Sequence, residues 1–191
     1  MAQATNHFQI IGGEHRGRKF PFPDAPGLRP TPNKVRETLF NWIQFESSGK
    51  VFLDLFTGSG ALSFEALSRG AEQVISIEKD FNAFQNLEKN RKKLKSDNLQ
   101  IIHSDALDFL SKKPTQIFDF VLLDPPFHQK ILEKVLKQLS IEGFLTTGCK
   151  IYLESEFEIT NNFLNQEISQ KIKINQQKRS GQVHYCLIEV L

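Results

Sequence analysis

The sequence predicts an α/β fold built on a largely parallel sheet with helices on both faces. From Val51 onward, short apolar runs alternate with stretches of helical periodicity, and that alternation packs most simply as a parallel sheet. The runs are also continuously apolar, as in Phe120-Val121-Leu122-Leu123, the pattern of strands buried on both faces. Several runs end in an acidic residue, and ligands of such sheets bind outside the carboxyl ends of the strands.

The elements follow in order. Phe8 to Ile11 and Lys19 to Pro23 read as a small hairpin around a glycine- and charge-rich turn. Residues 25–30, Ala-Pro-Gly-Leu-Arg-Pro, read as a loop. Thr31 then caps a helix with Pro32 at its first position, running to about Phe45 through Val35, Leu39 and Trp42 or Ile43. Strands are expected at Val51–Leu55, Gln73–Ile77, Leu99–His103, Phe118–Leu123 and Cys149–Leu153. Helices are expected at Ala61–Arg69, at Asp80–Lys95 with Phe81, Phe84, Leu87 and Leu94 inward, after Asp105, and from Ile131 to Leu139. Two closing strands, Glu167–Asn175 and Val183–Val190, form a hairpin about Ser180-Gly181, which places one antiparallel strand at that edge. Residues 1–46 are thus an extension and 47–191 the main domain, effectively one structural unit.

The 191 residues suffice for one core. A net charge of +2 does not mark the whole chain as a nucleic-acid binder. The basic residues do cluster: His15 to Lys19, then Lys89 with Arg91, Lys92, Lys93 and Lys95, then Lys171, Lys173, Lys178 and Arg179. Each cluster is either an RNA contact or a solvated face. Cys149 and Cys186 have no metal-ligand spacing and sit among apolar residues, so they read as buried free thiols, and no metal is expected. No apolar run has signal-peptide or membrane-span length. A cytoplasmic protein without membrane contact is the expectation.

Four strand ends carry the candidate chemistry. The first is Asp54-Leu55-Phe56-Thr57-Gly58-Ser59-Gly60. Two glycines just before a helix let the backbone pass close to a ligand. Ser63 stands where a dinucleotide loop wants a third small residue, and Asp54 suits a cationic ligand better than a pyrophosphate. S-adenosylmethionine, with its ammonium and sulfonium, is such a ligand. Glu78, beside Lys79, falls where an acidic residue accepts from ribose hydroxyls. Asp105, before Ala106, either accepts from an adenine amino group or caps the next helix. Asp124-Pro125-Pro126-Phe127 is the most specific. The prolines stiffen the loop and leave carbonyls without competing donors. Asp124 and the Pro125 carbonyl can accept both hydrogens of a base amino group, directing its lone pair at a methyl group, while Phe127 offers a stacking face.

Ile10-Ile11-Gly12-Gly13, Arg16-Gly17-Arg18, Gly27 to Thr31 and Val35 to Trp42, with Asp54–Gly60, Glu65–Ala71 and Asp124–Phe127, resemble over nearly the whole length the RsmD family. These are bacterial 16S ribosomal RNA guanine-N2 methyltransferases. The resemblance implies a seven-stranded Rossmann-like methyltransferase sheet, S-adenosylmethionine as donor, and guanine 966 of 16S rRNA as acceptor. It implies a substrate of assembled or partly assembled 30S subunits, with ribosomal proteins near the target loop, and a monomeric enzyme. It further implies that Thr31 and Arg36 close over the cofactor's amino-acid end, and that Arg16, Arg18 and Lys19 meet RNA phosphates. Arg29, Lys178 and Arg179 are assigned to RNA as well. Thr57 and Ser63 stand where the family often has smaller residues.

Rival readings account for fewer of these features. An adenine-N6 DNA methyltransferase can use the same Asp-Pro-Pro-aromatic loop but usually carries a target-recognition segment. A glutamine-N5 protein methyltransferase would have Asn at position 124. A dehydrogenase lacks an explanation for Asp124–Phe127, and a non-enzymatic RNA-binding assembly factor leaves the glycine loop unexplained.

Overall fold

The computed structural model describes residues 6–24, 31–127 and 129–191. The predicted loop at residues 25–30, including Arg29, lies outside the described residues. The chain order is β1 (Asn6–Gln9), β2 (Lys19–Phe22), α1 (Asn33–Trp42), β3 (Val51–Asp54), α2 (Ala61–Ser68), β4 (Gln73–Glu78), α3 (Phe81–Leu94), β5 (Leu99–His103), α4 (Ala106–Leu110), β6 (Phe120–Leu123), α5 (Ile131–Ile141), β7 (Lys150–Ser155), α6 (Asn161–Glu167), β8 (Ile172–Ser180) and β9 (Val183–Val190).

Strands β1 and β2 form the predicted antiparallel hairpin, and the other seven form one sheet in the order β5-β4-β3-β6-β7-β9-β8. Pairings β5/β4, β4/β3, β3/β6 and β6/β7 are parallel, while β9 is antiparallel to both β7 and β8. The single reversed strand, β9, therefore sits one place in from the edge strand β8. The strand order reverses between β3 and β6, the switch point where a crevice opens in doubly wound sheets.

Side chains alternate across this sheet with period two. Phe52, Val74, Phe120, Leu122 and Tyr152 point into one apolar cluster, together with Phe8 and Phe20 of the hairpin, Leu39 and Phe40 of α1, Phe64 of α2 and Leu87 of α3. Leu53, Ile75, Val121, Leu123, Ile151 and Leu153 point into the other, against Val135, Leu136 and Leu139 of α5 and Leu164 of α6. Continuing the alternation puts Asp54, Glu78, Asp124 and Glu154 on the first face, at the carboxyl ends of four neighbouring strands. The hairpin and α1 share that face's core.

The hairpin is also fastened by polar contacts. Both oxygens of buried Glu65 accept from the Ile11 and Gly12 amides, at 2.8 and 2.9 Å. Arg69 bonds the same carboxylate, and the fully buried Arg36 lies 3.5 Å from it. Gly13 has φ +76°, and a Cβ there would fall 1.8 Å from the Ser68 carbonyl oxygen, so this approach to α2 requires glycine.

Three local expectations are corrected. Thr31 is not the cap of α1. Pro32 is, without a side-chain cap bond, and the Thr31 hydroxyl turns elsewhere. The inward stripe of α3 is Ala83, Leu87, Asn90 and Leu94, whereas Phe81 is 53% exposed and packs, tilted, beside the stacked rings of Phe84 and His103. Residue 167, expected to open a strand, instead closes α6, whose Thr160 cap accepts from the Phe163 amide. β8 begins at Ile172.

Candidate active site

At the carboxyl ends of β3, β4, β5, β6 and β7 lies a cavity of about 840 Å³, in the upper part of the range of roughly 300–1,000 Å³ usual for ligand pockets. It brings together three groups expected from sequence: Phe56, Thr57, Gly58 and Ser59; Glu78, Lys79, Asp105 and Ala106; and Asp124, Pro125, Pro126 and Phe127. Thr31 also lines it.

The glycine loop is clipped to its neighbours. The Thr57 amide donates to Ile77 O (3.1 Å), the Gly60 amide to Thr57 O (2.8 Å), and the Gly58 amide to Glu78 Oε2 (2.7 Å). Gly60, at φ +90°, precedes α2, and a Cβ on it would meet Leu87 at 2.6 Å. Glu78 Oε1 accepts from the Asp80 amide (2.7 Å). Burial raises the Glu78 pKa, and these backbone bonds oppose the rise. A carboxylate has about four acceptor sites, so Glu78 keeps capacity for ribose hydroxyls. Asp105 accepts from the Leu107 amide at 2.9 Å as the cap of α4 while also lining the cavity. The two sequence alternatives for this residue are therefore compatible.

Asp54 and Gly60 stand behind the lining rather than at the lip. Asp54 is 1% exposed, its Oδ2 accepts from Ser63 Oγ (2.6 Å) and its Oδ1 from the Phe56 amide (3.3 Å). Ser63 is thus the partner that holds this carboxyl, with Ser76 bonded behind it at 2.7 Å. Burial pushes the Asp54 pKa up to about 7 against the Ser63 and Phe56 bonds, and the charges of Asp124 and Glu78 add to the rise.

Arg36 does not reach the lining. Its guanidinium donates to the carbonyls of Thr31, Ala61 and Gln9 and to Asn33 Oδ1. With Glu65 beside it, its bond to the Thr31 carbonyl ties it to the residue that enters the cavity. The Thr31 hydroxyl donates to Asp124 Oδ2 at 3.1 Å. Burial pushes the Asp124 carboxyl up to about 6, with the Thr31 bond opposing.

Sequence reasoning missed Glu154, which lines the cavity at 3% exposure. Tyr152 Oη donates to its Oε1 at 2.8 Å. Burial first and the Asp124 charge second raise its pKa well above the carboxylate range. The available signal was an acidic residue closing a buried strand, the same signal that marked Asp54 and Asp124. Val183, just past the β8–β9 turn, lines the cavity as well.

The described basic residues assigned to RNA lie on exposed surface. Arg16, Arg18 and Lys19 sit at the hairpin, where Arg18 also donates to Lys93 O at the end of α3 (3.0 Å). Lys178 lies 5.8 Å from the Trp42 ring, and Arg179 Nε donates to Gly181 O (2.8 Å) within the β8–β9 turn. Cys149 and Cys186 are buried free thiols, and burial pushes each up to about 12, so both stay protonated. Among the described residues no helix is long and apolar enough to cross a membrane.

The seven-strand order, the glycine loop and the Asp-Pro-Pro-Phe end are those of a methyltransferase of the Rossmann-like class. The solved Escherichia coli protein yhhF superposes with a TM-score of 0.86 at 40% identity, covering 97% of this chain and 98% of that one. The chain belongs to the family described as conserved hypothetical protein 95, matched over residues 8–189, which is the RsmD family. The Escherichia coli K12 protein named ribosomal RNA small subunit methyltransferase D is 43% identical over 97% of this chain and 91% of its own length. More distantly, T. thermophilus RsmC, a 16S rRNA N2 methyltransferase solved with AdoMet and guanosine, shares the fold with a TM-score of 0.73 at 20% identity, over 97% of this chain and 50% of that one.

Proposed function

We propose that this chain transfers the methyl group of S-adenosylmethionine to the exocyclic N2 of a guanine in 16S rRNA, guanine 966, on assembled or partly assembled 30S subunits. The observation that carries the reading is the meeting of the glycine loop and Asp124–Phe127 in one cavity. The names of the curated relatives support rRNA as the acceptor.

The buried acidic residues fit a cationic cofactor, which supplies an activated methyl group for direct displacement. Glu78 takes the ribose hydroxyls, Asp105 the adenine amino group, and Lys79 and Ala106 border them. Asp54 sets a negative potential behind the loop that favours the ammonium. Opposite, Asp124 and the Pro125 carbonyl accept from the amino group of a base flipped from its stack, and Phe127 holds the ring. Thr31 occupies Asp124 Oδ2 and thereby orients the carboxylate. Alignment of two bound reactants contributes most of the acceleration in such a displacement, in which the C–S bond breaks as the C–N bond forms, and the surplus proton on N2 passes to Asp124 or to water. Arg16, Arg18, Lys19, Lys178 and Arg179 meet backbone phosphates, and the place of Val183 in the lining puts the β8–β9 turn at the cavity.

The test is transfer of labelled methyl from S-adenosylmethionine to unmodified 30S particles, naked 16S RNA and duplex DNA, with nucleoside analysis. N2-methylguanine on 30S particles is the expected product. N6-methyladenine in DNA, or no transfer to any acceptor, overturns the reading.

A further inference from the structure

We propose that Glu154 reads the guanine ring edge, pairing with N1–H and O6 while Asp124 accepts from N2. The inference rests on the guanine-N2 reading above and assigns the part of that site which recognises the base.

Position comes first. Leu123 of β6 is the register partner of Leu153 of β7, so Asp124 and Glu154 follow as the next pair, on strands about 4.8 Å apart. Period-two alternation sends both side chains to the same face, and both line the cavity. A group held beside the amino-accepting Asp124 is therefore within reach of the ring positions next to a base amino group.

The folded chain makes little use of Glu154. It is 3% exposed, and its hydrogen bond within the described residues is the one from Tyr152 to Oε1. Asp54 and Glu78, by contrast, each accept a backbone amide. A buried carboxyl with one hydroxyl donor and, among the described residues, no ion-pair partner costs stability. Such groups concentrate where a ligand completes them.

Chemistry selects the ligand edge. Burial and the neighbouring charge of Asp124 both favour the protonated form of Glu154. A neutral carboxyl presents an O–H donor and a carbonyl acceptor. Guanine presents O6 as acceptor, N1–H as donor and N2 as donor in sequence along one edge. Carboxyl plus carboxylate supplies the complementary donor, acceptor and acceptor. Adenine and cytosine carry a bare ring nitrogen next to their amino group on that edge, and this pairing leaves the acceptor facing another acceptor. The Tyr152 bond fixes the plane of the carboxyl.

The experiment first maps the modified nucleotide with the wild-type protein. Small subunits are then reconstituted from ligated rRNA carrying guanine or 2-aminopurine at that position. 2-Aminopurine keeps the amino group but lacks N1–H and O6. Wild type is expected to prefer guanine by about 100-fold in kcat/KM, the scale of losing a paired hydrogen-bonding edge. Glu154→Gln retains a donor and an acceptor and should keep most of the preference. Glu154→Leu and Glu154→Met should bring it close to one, with cofactor Kd unchanged within several-fold. Equal use of the two bases by wild type overturns the assignment without recourse to any variant, as does a preference that survives in Glu154→Leu or Glu154→Met. If wild type makes no N2-methylguanine at all, the functional reading fails first, and that result is distinct from loss of base discrimination.

Discussion

The two halves of the cavity are built differently. On the β3–β4 side, Asp54 and Glu78 each accept backbone amides, and Asp54 also accepts the Ser63 hydroxyl. On the β6–β7 side, Asp124 and Glu154 each have one hydroxyl donor, from Thr31 and Tyr152. The first half is assembled by the fold before any ligand arrives. The second half keeps acceptor capacity open. On the proposed function, a cofactor of constant shape would be served by fixed backbone geometry, and a base drawn from an RNA stack by side chains whose partners arrive with it.

Separating the halves by mutation should produce the largest effect. Asp124→Ala is expected to lower kcat by at least ~1,000-fold while cofactor Kd, measured by calorimetry, stays within several-fold. An unchanged kcat removes Asp124 from the chemistry. Gly60→Ala should do the reverse. It places a Cβ at φ +90° against Leu87, so cofactor affinity should fall on the order of 10- to 100-fold, with a melting temperature lowered by a strain of ~1–3 kcal/mol. Normal affinity in this variant would show that the loop does not need its glycine geometry.

A pH titration sharpens the same contrast. Burial lifts Asp54 to about 7, so the empty folded chain holds a proton that the unfolded chain loses near pH ~4. Stability of the empty protein therefore falls as pH rises from ~4 to ~7. A cationic cofactor favours the ionised form, so affinity should rise about tenfold from pH 6 to pH 8, with proton release on binding. Calorimetry in buffers of different ionisation enthalpy measures that release, and Asp54→Asn should abolish it. If the variant keeps the full pH dependence, another carboxyl is responsible. The smallest effect is expected at the surface. Arg16→Ala with Arg18→Ala should weaken RNA binding several-fold and flatten the salt slope by about one for each phosphate no longer neutralised. A defect confined to cofactor binding would remove this cluster from the RNA surface.

Much of the architecture was legible because buried parallel strands are apolar runs with abrupt ends. Val51–Asp54 and Phe120–Asp124 mark the candidate site at the point where apolarity stops. The misreadings arose where periodicity is faint or tertiary contacts override it. α6 buries only Leu164 along its length, so its helical period is scarcely written. Phe81 and Phe84 satisfy a helical stripe by identity, yet Ala83 and Asn90 take the inner positions, and Asn90 donates to Pro21 O of the hairpin (2.9 Å). Thr31 has the chemistry of a cap, but a partner 93 residues away claims its hydroxyl. The resemblance implies that Arg36 closes over the cofactor, but the carbonyls and Glu65 that enclose it become neighbours only after folding.

The buried Arg36–Glu65 pair has a mechanical consequence. Peeling residues 6–24 away would strip Glu65 of the Ile11 and Gly12 amides and Arg36 of the Gln9 carbonyl, and each buried group left short of a partner costs roughly 1–3 kcal/mol. The hairpin is therefore no detachable ornament. Pulled from its end, the protein should yield in a single step, the handle and the catalytic body coming apart together.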